Sequence, residues 1–320
     1  MKKILVVGAG GQIGSELVPY LRGIYGESNV VATDINCNSC TKLAEGGPFE
    51  ELDALDGKKY AEIVKKYNID AIYNLVALLS ATGEKNPQLA WRINMGALMN
   101  SLEIARENSC SVFTPSSIGA FGPSTPADNT PQDTVMRPST IYGVCKVTGE
   151  MLSDYYYTRF GVDTRSVRFP GIISNVTLPG GGTTDYAVEI YYAAIKDKKF
   201  TCPLPQGTYL DMMYMPDALQ AAVKLMEADP ARLKHRNSFN VTAMSFDPEK
   251  IFAAIKRRIP EFTMNYDVEP VKKAIADSWP NYMDDSCARE EWDWNPQWNL
   301  ETMTDDMLKV IGEKHAKGLI

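Results

Sequence analysis

The chain has 320 residues, 44% hydrophobic and 23% charged, the composition of an ordinary globular protein long enough to bury a sizeable core. Its formal net charge of -7 argues against nucleic acid or an anionic membrane as the main partner. No apolar run approaches the roughly 20 residues that a membrane helix needs.

The chain reads as strand almost from its first residue, so neither a signal nor a transit peptide is expected, and the expected compartment is the cytoplasm. Its six cysteines are scattered, as in a reduced enzyme. Cys37 and Cys40 form a C-x-x-C, but a metal site needs a second ligand pair and the next cysteine is Cys110. A plain loop is the expected reading there. His235 and His315 are the two histidines. A Ser-His-Asp triad in the first two-thirds is therefore excluded, and no metal centre is expected.

In chain order, Lys3-Ile4-Leu5-Val6-Val7 is strand-like, Gly8-Ala9-Gly10-Gly11-Gln12-Ile13-Gly14 follows at once, and a helical pattern covers 12–25. Strand, glycine turn and helix in this order are what a dinucleotide pyrophosphate requires. The turn is tight, the backbone can approach the phosphates, and the helix N-terminus offers free N–H groups and the positive dipole end. Further strands are expected at 30–34, 49–52, 71–75, 111–116 and 163–168, with helices at 57–67, 87–107 and 142–160 between them. This alternation predicts an α/β fold, a doubly wound parallel sheet of Rossmann type with helices on both faces. From Pro170 onward a smaller, less regular lobe is expected, with helices at 186–196, 216–228, 247–259 and 301–317. The segment 212–241, with a strand at 238–241, is expected to return to the first sheet. The domain reading is a cofactor domain at 1–170, completed by about 212–245, and a substrate lobe from 171–211 and 246–320. The Trp-rich stretch from Trp292 to Trp298 reads as packing.

Asp34 ends the second strand, where a carboxylate can accept both adenosine ribose hydroxyls and repel a 2′-phosphate, selecting NAD. Asp53 is open between an adenine contact and a helix cap. Tyr142 and Lys146 are four apart in one helical pattern and share a face. A free tyrosine titrates near 10, too high for a base at neutral pH, and an adjacent ammonium favours the phenolate. Ser117 lies past the end of a strand, where open α/β sheets bind ligands, and its hydroxyl can orient a substrate oxygen. Turn formation is the other use for the pair Ser116 and Ser117.

The Gly8-x-x-Gly11-x-x-Gly14 turn, Asn74-Leu75-Val76-Ala77, Asn94, Ser117 and Tyr142-x-x-x-Lys146 together resemble the extended short-chain dehydrogenase/reductases, relatives of UDP-galactose epimerase. Within them, Arg168-Phe169-Pro170-Gly171-Ile172-Ile173-Ser174, the stretch from Pro179 to Glu189, Trp279-Pro280 and Asp284-Asp285-Ser286-Cys287-Ala288-Arg289 are similar to the short-chain type of L-threonine 3-dehydrogenases. The chain departs from that pattern at Cys145, where serine is usual, and at Asp211, where proline is expected.

The resemblance implies NAD-dependent oxidation of the threonine β-hydroxyl to 2-amino-3-oxobutanoate. Tyr142 would be the base, with Lys146 lowering its pKa and binding the nicotinamide ribose, and Ser117 would hold the reacting oxygen. Gly8, Gly11, Gln12, Ile13, Gly14, Asp34, Ile35, Leu52, Asp53, Leu75, Ala77, Asn94 and Ile172 would complete the cofactor site. Ser80, Thr183 and Asp185 would hold the amino-acid zwitterion. On the residues alone, the stretch from Gly180 to Asp185 reads equally as a flexible loop whose Thr and Asp cap the next helix, and its glycines suit a lid. The resemblance also implies a homodimer through a four-helix bundle built on 87–107 and 142–160, with Leu98, Leu102, Met151, Leu152 and Tyr155 as candidate contacts. The product would pass to a glycine C-acetyltransferase or lose carbon dioxide. The alternative on this scaffold is a sugar-nucleotide epimerase or dehydratase. Phe121 stands where epimerases commonly carry tyrosine, and the loop before Asp185 is short for a nucleotide diphosphate. A nucleotide sensor without chemistry would have lost Ser117, Tyr142 or Lys146, and all three are present.

Overall fold

A computed structural model describes residues 2–36, 40–178 and 182–320, with Ala81 as backbone only. The first half alternates strands and helices: β1 (Ile4–Val7), α1 (Gly14–Tyr25), β2 (Val30–Asp34), α2 (Thr41–Glu45), β3 (Phe49–Glu51), α3 (Gly57–Tyr67), β4 (Ala71–Asn74), α4 (Ser80–Lys85), α5 (Pro87–Asn108), β5 (Ser111–Phe113), β6 (Ser116–Ser117) and α6 (Ile141–Phe160). Three short strands follow, β7 (Thr164–Arg165), β8 (Val167–Phe169) and β9 (Gly171–Ile173). The remainder comprises α7 (Tyr186–Lys196), β10 (Lys199–Cys202), β11 (Leu210–Tyr214), α8 (Met215–Glu227), β12 (Phe239–Asn240), β13 (Met244–Phe246), α9 (Pro248–Lys256), β14 (Thr263–Tyr266), α10 (Pro270–Ala276), α11 (Ser286–Trp292) and α12 (Leu300–Ala316). Among the described residues no helix is long and apolar enough to cross a membrane. The C-x-x-C falls partly outside the described residues, since Cys37 is not among them.

The central sheet runs β3-β2-β1-β4-β5-β7, with every pairing parallel. Strand order reverses between β1 and β4, and ligands of such sheets bind outside the carboxyl ends at that point. β1 is apolar throughout because both of its faces are covered. Ile4 and Val6 pack with Leu17 and Leu21 of α1 and Leu225 of α8, while Leu5 and Val7 pack with Ile63 of α3 and Leu98 of α5. Each of these fully buried side chains contributes about 1.5–3 kcal/mol. A third core joins α7, α9 and α12 to β11 and β13 through Tyr186, Tyr191, Ile251, Met303, Met212 and Phe246. Trp292 and Trp294 are buried with ring centroids 5.5 Å apart, so the Trp-rich stretch packs as expected.

Two expected strands are broken, and the break builds the site. The pattern at 111–116 divides into β5 in the central sheet and β6 in a separate three-stranded sheet, β12-β8-β6. Pro115 has no N–H for a ladder, and Ser116 N donates instead to Ser166 Oγ at 3.2 Å. The pattern at 163–168 divides likewise into β7 and β8. The segment 212–241 does not return to the six-stranded ladder as expected. β11 pairs with β9 and β13, and β12 pairs with β8.

One ion pair ties these pieces to α6. Glu150 and Arg168 meet at 2.8 Å with 4% and 5% of their side chains exposed. Arg168 also donates to the Gln132 carbonyl at 2.8 Å and to Asn240 Oδ1 at 3.0 Å, and the Ser116 hydroxyl donates to Glu150. Removing one partner strands a buried charge, so Glu150→Ala is expected to lose about 3–5 kcal/mol in urea unfolding. A loss below about 1 kcal/mol, the range of an exposed pair, would contradict the structural role.

Asp211, the residue in place of the expected proline, lies wholly buried in β11. It accepts from Thr242 Oγ1 at 2.6 Å and from Met283 N at 2.8 Å, fixing the segment around Met283 on the sheet. Burial, aided by the neighbouring Asp285, pushes its carboxyl up to about 8 against the pull of those hydrogen bonds. The folded chain thus keeps a proton that the unfolded chain releases near 4. Stability is full below that value and is lost as pH rises through about 8. Urea midpoints between pH 6 and 9 should fall more steeply for the native chain than for Asp211→Asn. Parallel curves would refute this origin.

Candidate active site

The glycine turn begins at the carboxyl end of β1. Gly8 has φ +83°, and a Cβ at Gly14 would stand 2.5 Å from the Gly8 carbonyl oxygen, so α1 can start only where both are glycine. No side chain caps the start of α1. Its first turn is left for an anion, which the dipole favours. Asp34 closes the floor, accepting from Gly10 N at 2.8 Å and Asn36 N at 2.9 Å.

Two compartments meet at Leu75 and Ala77. One, of about 930 Å³, is lined by Gly8, Gly11, Asp34, Ile35, Leu52 and Asp53. The other, of about 850 Å³, is lined by Gln12, Ile13, Ile172 and the proposed reacting groups. The backbone cradle, the carboxylate at the ribose end and the apolar Ile35 and Leu52 fit a dinucleotide with its adenosine in the first compartment. Asp53 accepts from Leu55 N at 2.9 Å, whereas the cap of α3 is Asp56, which accepts from Lys59 N at 3.0 Å. Of the two uses open to Asp53, capping therefore belongs to its neighbour. Asn94 is held on the chain after β4, accepting from Leu78 N at 2.7 Å and donating to Leu78 O at 3.2 Å. It lines a small polar cavity behind Lys146 rather than either of the larger compartments.

The second compartment is assembled at the start of α6. Thr140 caps the helix, its Oγ1 accepting from Gly143 N at 3.1 Å. A Cβ at Gly143 would lie 2.2 Å from the Gly119 carbonyl oxygen, so the helix rests directly on the turn Ile118–Ala120 that follows Ser117. Tyr142 is thereby laid against Gly119. Lys146 Nζ donates to the Pro115 carbonyl at 2.6 Å and sits 5.2 Å from the Tyr142 ring centroid. Ser117 Oγ accepts from Gly119 N at 3.1 Å, which leaves its proton to donate elsewhere. Ser116 is committed to Glu150, so the two serines divide structure and site between them.

Ser80, Thr183 and Asp185 line the same compartment as Ser117, Tyr142 and Lys146. Among the described residues Thr183 Oγ1 is buried with no hydrogen-bond partner, an orphan polar atom that calls for a ligand or water. Asp185 stands before α7 but makes no side-chain cap to it; its carboxylate accepts from Gly182 N at 2.6 Å instead. The expected capping use is therefore not found for Asp185. Pro179, Gly180 and Gly181, on which the lid expectation partly rests, lie outside the described residues. Sequence reasoning assigned no role to Trp279, which lines the compartment, or to Gly182. The Trp279-Pro280 pair was the available signal.

Elsewhere, His235, Cys287 and Glu291 bring possible metal ligands within 4.8 Å of one another. His235 Nδ1 already meets Glu291 Oε1 at 2.5 Å, and Glu291 Oε2 accepts from Lys234 N and His235 N, so the carboxylate stitches this turn to α11.

A family model described as the NAD dependent epimerase/dehydratase family matches residues 4–242. A protein of Staphylococcus aureus (strain USA300), called an uncharacterized epimerase/dehydratase, is 55% identical over 314 residues, covering 98% of each chain. Among solved structures, L-threonine dehydrogenase from Clostridium difficile is 56% identical with a TM-score of 0.96, covering 98% of each chain. The GalE-like L-threonine dehydrogenase from Cupriavidus necator in its holo form is 48% identical with a TM-score of 0.91, covering 96% of this chain and 99% of that one. With its reversed six-stranded sheet, glycine turn and Tyr142/Lys146 helix, the chain belongs to the NAD dependent epimerase/dehydratase family, within the extended short-chain dehydrogenase/reductases.

Proposed function

We propose that the enzyme oxidises the β-hydroxyl of L-threonine with NAD, giving 2-amino-3-oxobutanoate, NADH and a proton. The observation that carries this reading is the second compartment, where Ser117, Tyr142 and Lys146 share one space with Ser80, the orphan Thr183 hydroxyl and Asp185. That set suits a small hydroxylated zwitterion. The likeness to solved L-threonine dehydrogenases supports it independently.

Tyr142, as phenolate, takes the proton of the substrate hydroxyl. Lys146, fixed by the Pro115 carbonyl beside the tyrosine ring, places a positive charge where the phenolate forms, and would also hold the nicotinamide ribose. Ser117 donates to the reacting oxygen and holds it as it becomes a ketone. Asp185 pairs with the substrate ammonium, while Thr183 and Ser80 take its carboxylate. The glycine turn and Asp34 would hold NAD, which would supply the acceptor for the hydride of the β-carbon. Trp279, Ile118 and Ile172 line the space with apolar surface that limits water.

A homodimer accompanies this reading. Of the residues expected to form its bundle, Leu98 and Leu102 are buried within the subunit, whereas Met151 and Tyr155 on α6 are 66% and 52% exposed, and Trp91 and Met99 on α5 are exposed too. The outward face of α5 and α6 is the surface for a second copy. The β-keto acid product, prone to lose carbon dioxide, suits handover to a glycine C-acetyltransferase.

Two outcomes test the reaction. L-Threonine should reduce NAD in net amount, as a sugar nucleotide epimerised on the same scaffold would not. Tyr142→Phe should lose about 10²–10⁴-fold in turnover, with NAD binding close to normal. Net reduction by a sugar nucleotide but not by threonine, or retained turnover in the variant, would overturn it.

A further inference from the structure

The chain leaving β9 is fastened to the first turn of α1. Ser174 Oγ donates to Glu16 Oε1 at 2.5 Å and accepts from Val176 N at 2.9 Å and Thr177 N at 3.3 Å. The Ser15 and Thr177 hydroxyls meet at 3.0 Å. On the opposite side Asn175 Nδ2 donates to Tyr214 Oη at 2.6 Å and Asp306 Oδ2 at 3.1 Å, and Lys314 Nζ donates to the Asn175 carbonyl. Ser174 is fully buried. Burial pushes the Glu16 carboxyl above its ordinary range, against the pull of the Ser174 bond and Lys314. A carboxyl partly withdrawn from water at the start of a helix whose first turn would face phosphates is costly, and the proposed reaction gives Glu16 no task.

β9 carries the contact onward to the other compartment. A Cβ at Gly171 would lie 2.7 Å from Thr184 Cγ2 and 2.4 Å from Met212 Sδ, so Thr184 rests directly on the strand backbone. Thr183 and Asp185, offered to the amino acid, flank Thr184 on either side. An unbroken series of contacts therefore runs from the glycine turn through Ser15 and Glu16 to Ser174, along β9, and into the amino-acid compartment.

We propose that Glu16 and Ser174, assisted by Ser15 and Thr177, are positioning residues that couple the cofactor turn to the amino-acid compartment, so that filling the first tightens the second. The inference rests on the functional reading above. A dinucleotide drawn onto the start of α1 orders the turn that carries Ser15 and Glu16. Their bonds to Ser174 and Thr177 pass that order to β9 and Thr184. Coupling of this kind is reciprocal in binding free energy, and its signature is the ordering of backbone that touches neither ligand.

Amide hydrogen exchange with and without NAD reads it directly. In the native chain NAD should slow exchange over 171–174 and 182–189 by about tenfold, the effect of one hydrogen bond to a charged group. Ser174→Ala and Glu16→Ala should keep less than about twofold of that gain, while Glu16→Gln, whose amide oxygen still accepts from Ser174, retains it. In turnover, Ser174→Ala should raise KM for L-threonine about tenfold, with kcat and NAD affinity within about threefold. Equal slowing in native chain and variants, or an unchanged KM, overturns the coupling. Should Ser174→Ala not fold, Thr177→Val and Ser15→Ala decide the matter by the same exchange measurement. Failure of the native chain to oxidise threonine would sink the functional reading, whereas the exchange data answer the coupling on their own.

Discussion

Taking the Arg168 guanidinium and the Glu150 carboxylate out of water costs several kcal/mol per charge, which only near-ideal geometry and further hydrogen bonds can offset. Both conditions are met by the contacts to Ser116, Gln132 and Asn240. What this desolvation secures is position. Glu150 belongs to the helix that carries Tyr142 and Lys146, Arg168 to the strand beside Ser117, and Ser116 to the short strand that ends at Ser117. The close seating of Gly143 on the Gly119 carbonyl sets α6 directly against the turn that follows Ser117. Rigid support of this kind, rather than any unusual side chain, brings the half-buried Ser117, Tyr142 and Lys146 around one compartment.

The remainder of the cleft follows from the reversal of strand order at β1 and β4. The carboxyl ends of β1, β2 and β4 are level, since Val7 pairs with both Thr33 and Asn74. Gly8, Asp34 and Leu75 therefore open onto one crevice, with Ile35 and Leu52 at one side and Ser117 and Tyr142 at the other. Asp34 serves twice: its carboxylate shapes the glycine turn through Gly10 N and faces the ribose end of the cleft.

Much of this was legible in the sequence wherever local chemistry is decisive. The glycine spacing, the acid at the end of the second strand and the helix Gly57–Tyr67 all depend on neighbours close in the chain, and they fall where the pattern places them. Contacts between distant segments were not legible. Pro115 interrupts a strand-like run, and only the pairing of Ser116 with Arg168 shows where the chain goes next. The burial of Leu98 and Leu102, against the exposure of Met151 and Tyr155, cannot be read from helical periodicity, because an apolar stripe looks alike whether it meets its own sheet or a second subunit. Asp211 is the clearest case: the sequence shows it only as a departure from the expected proline, and its place against Thr242 and Met283 depends on segments far away in sequence.

The proposed oxidation would break one bond, the β-carbon–hydrogen bond of threonine, while Tyr142 takes the hydroxyl proton. L-Threonine carrying deuterium at that carbon tests it most directly. The label should appear in the reduced cofactor, and turnover should slow when hydride transfer limits the rate. Reduced cofactor without label, or none formed at all, would contradict it.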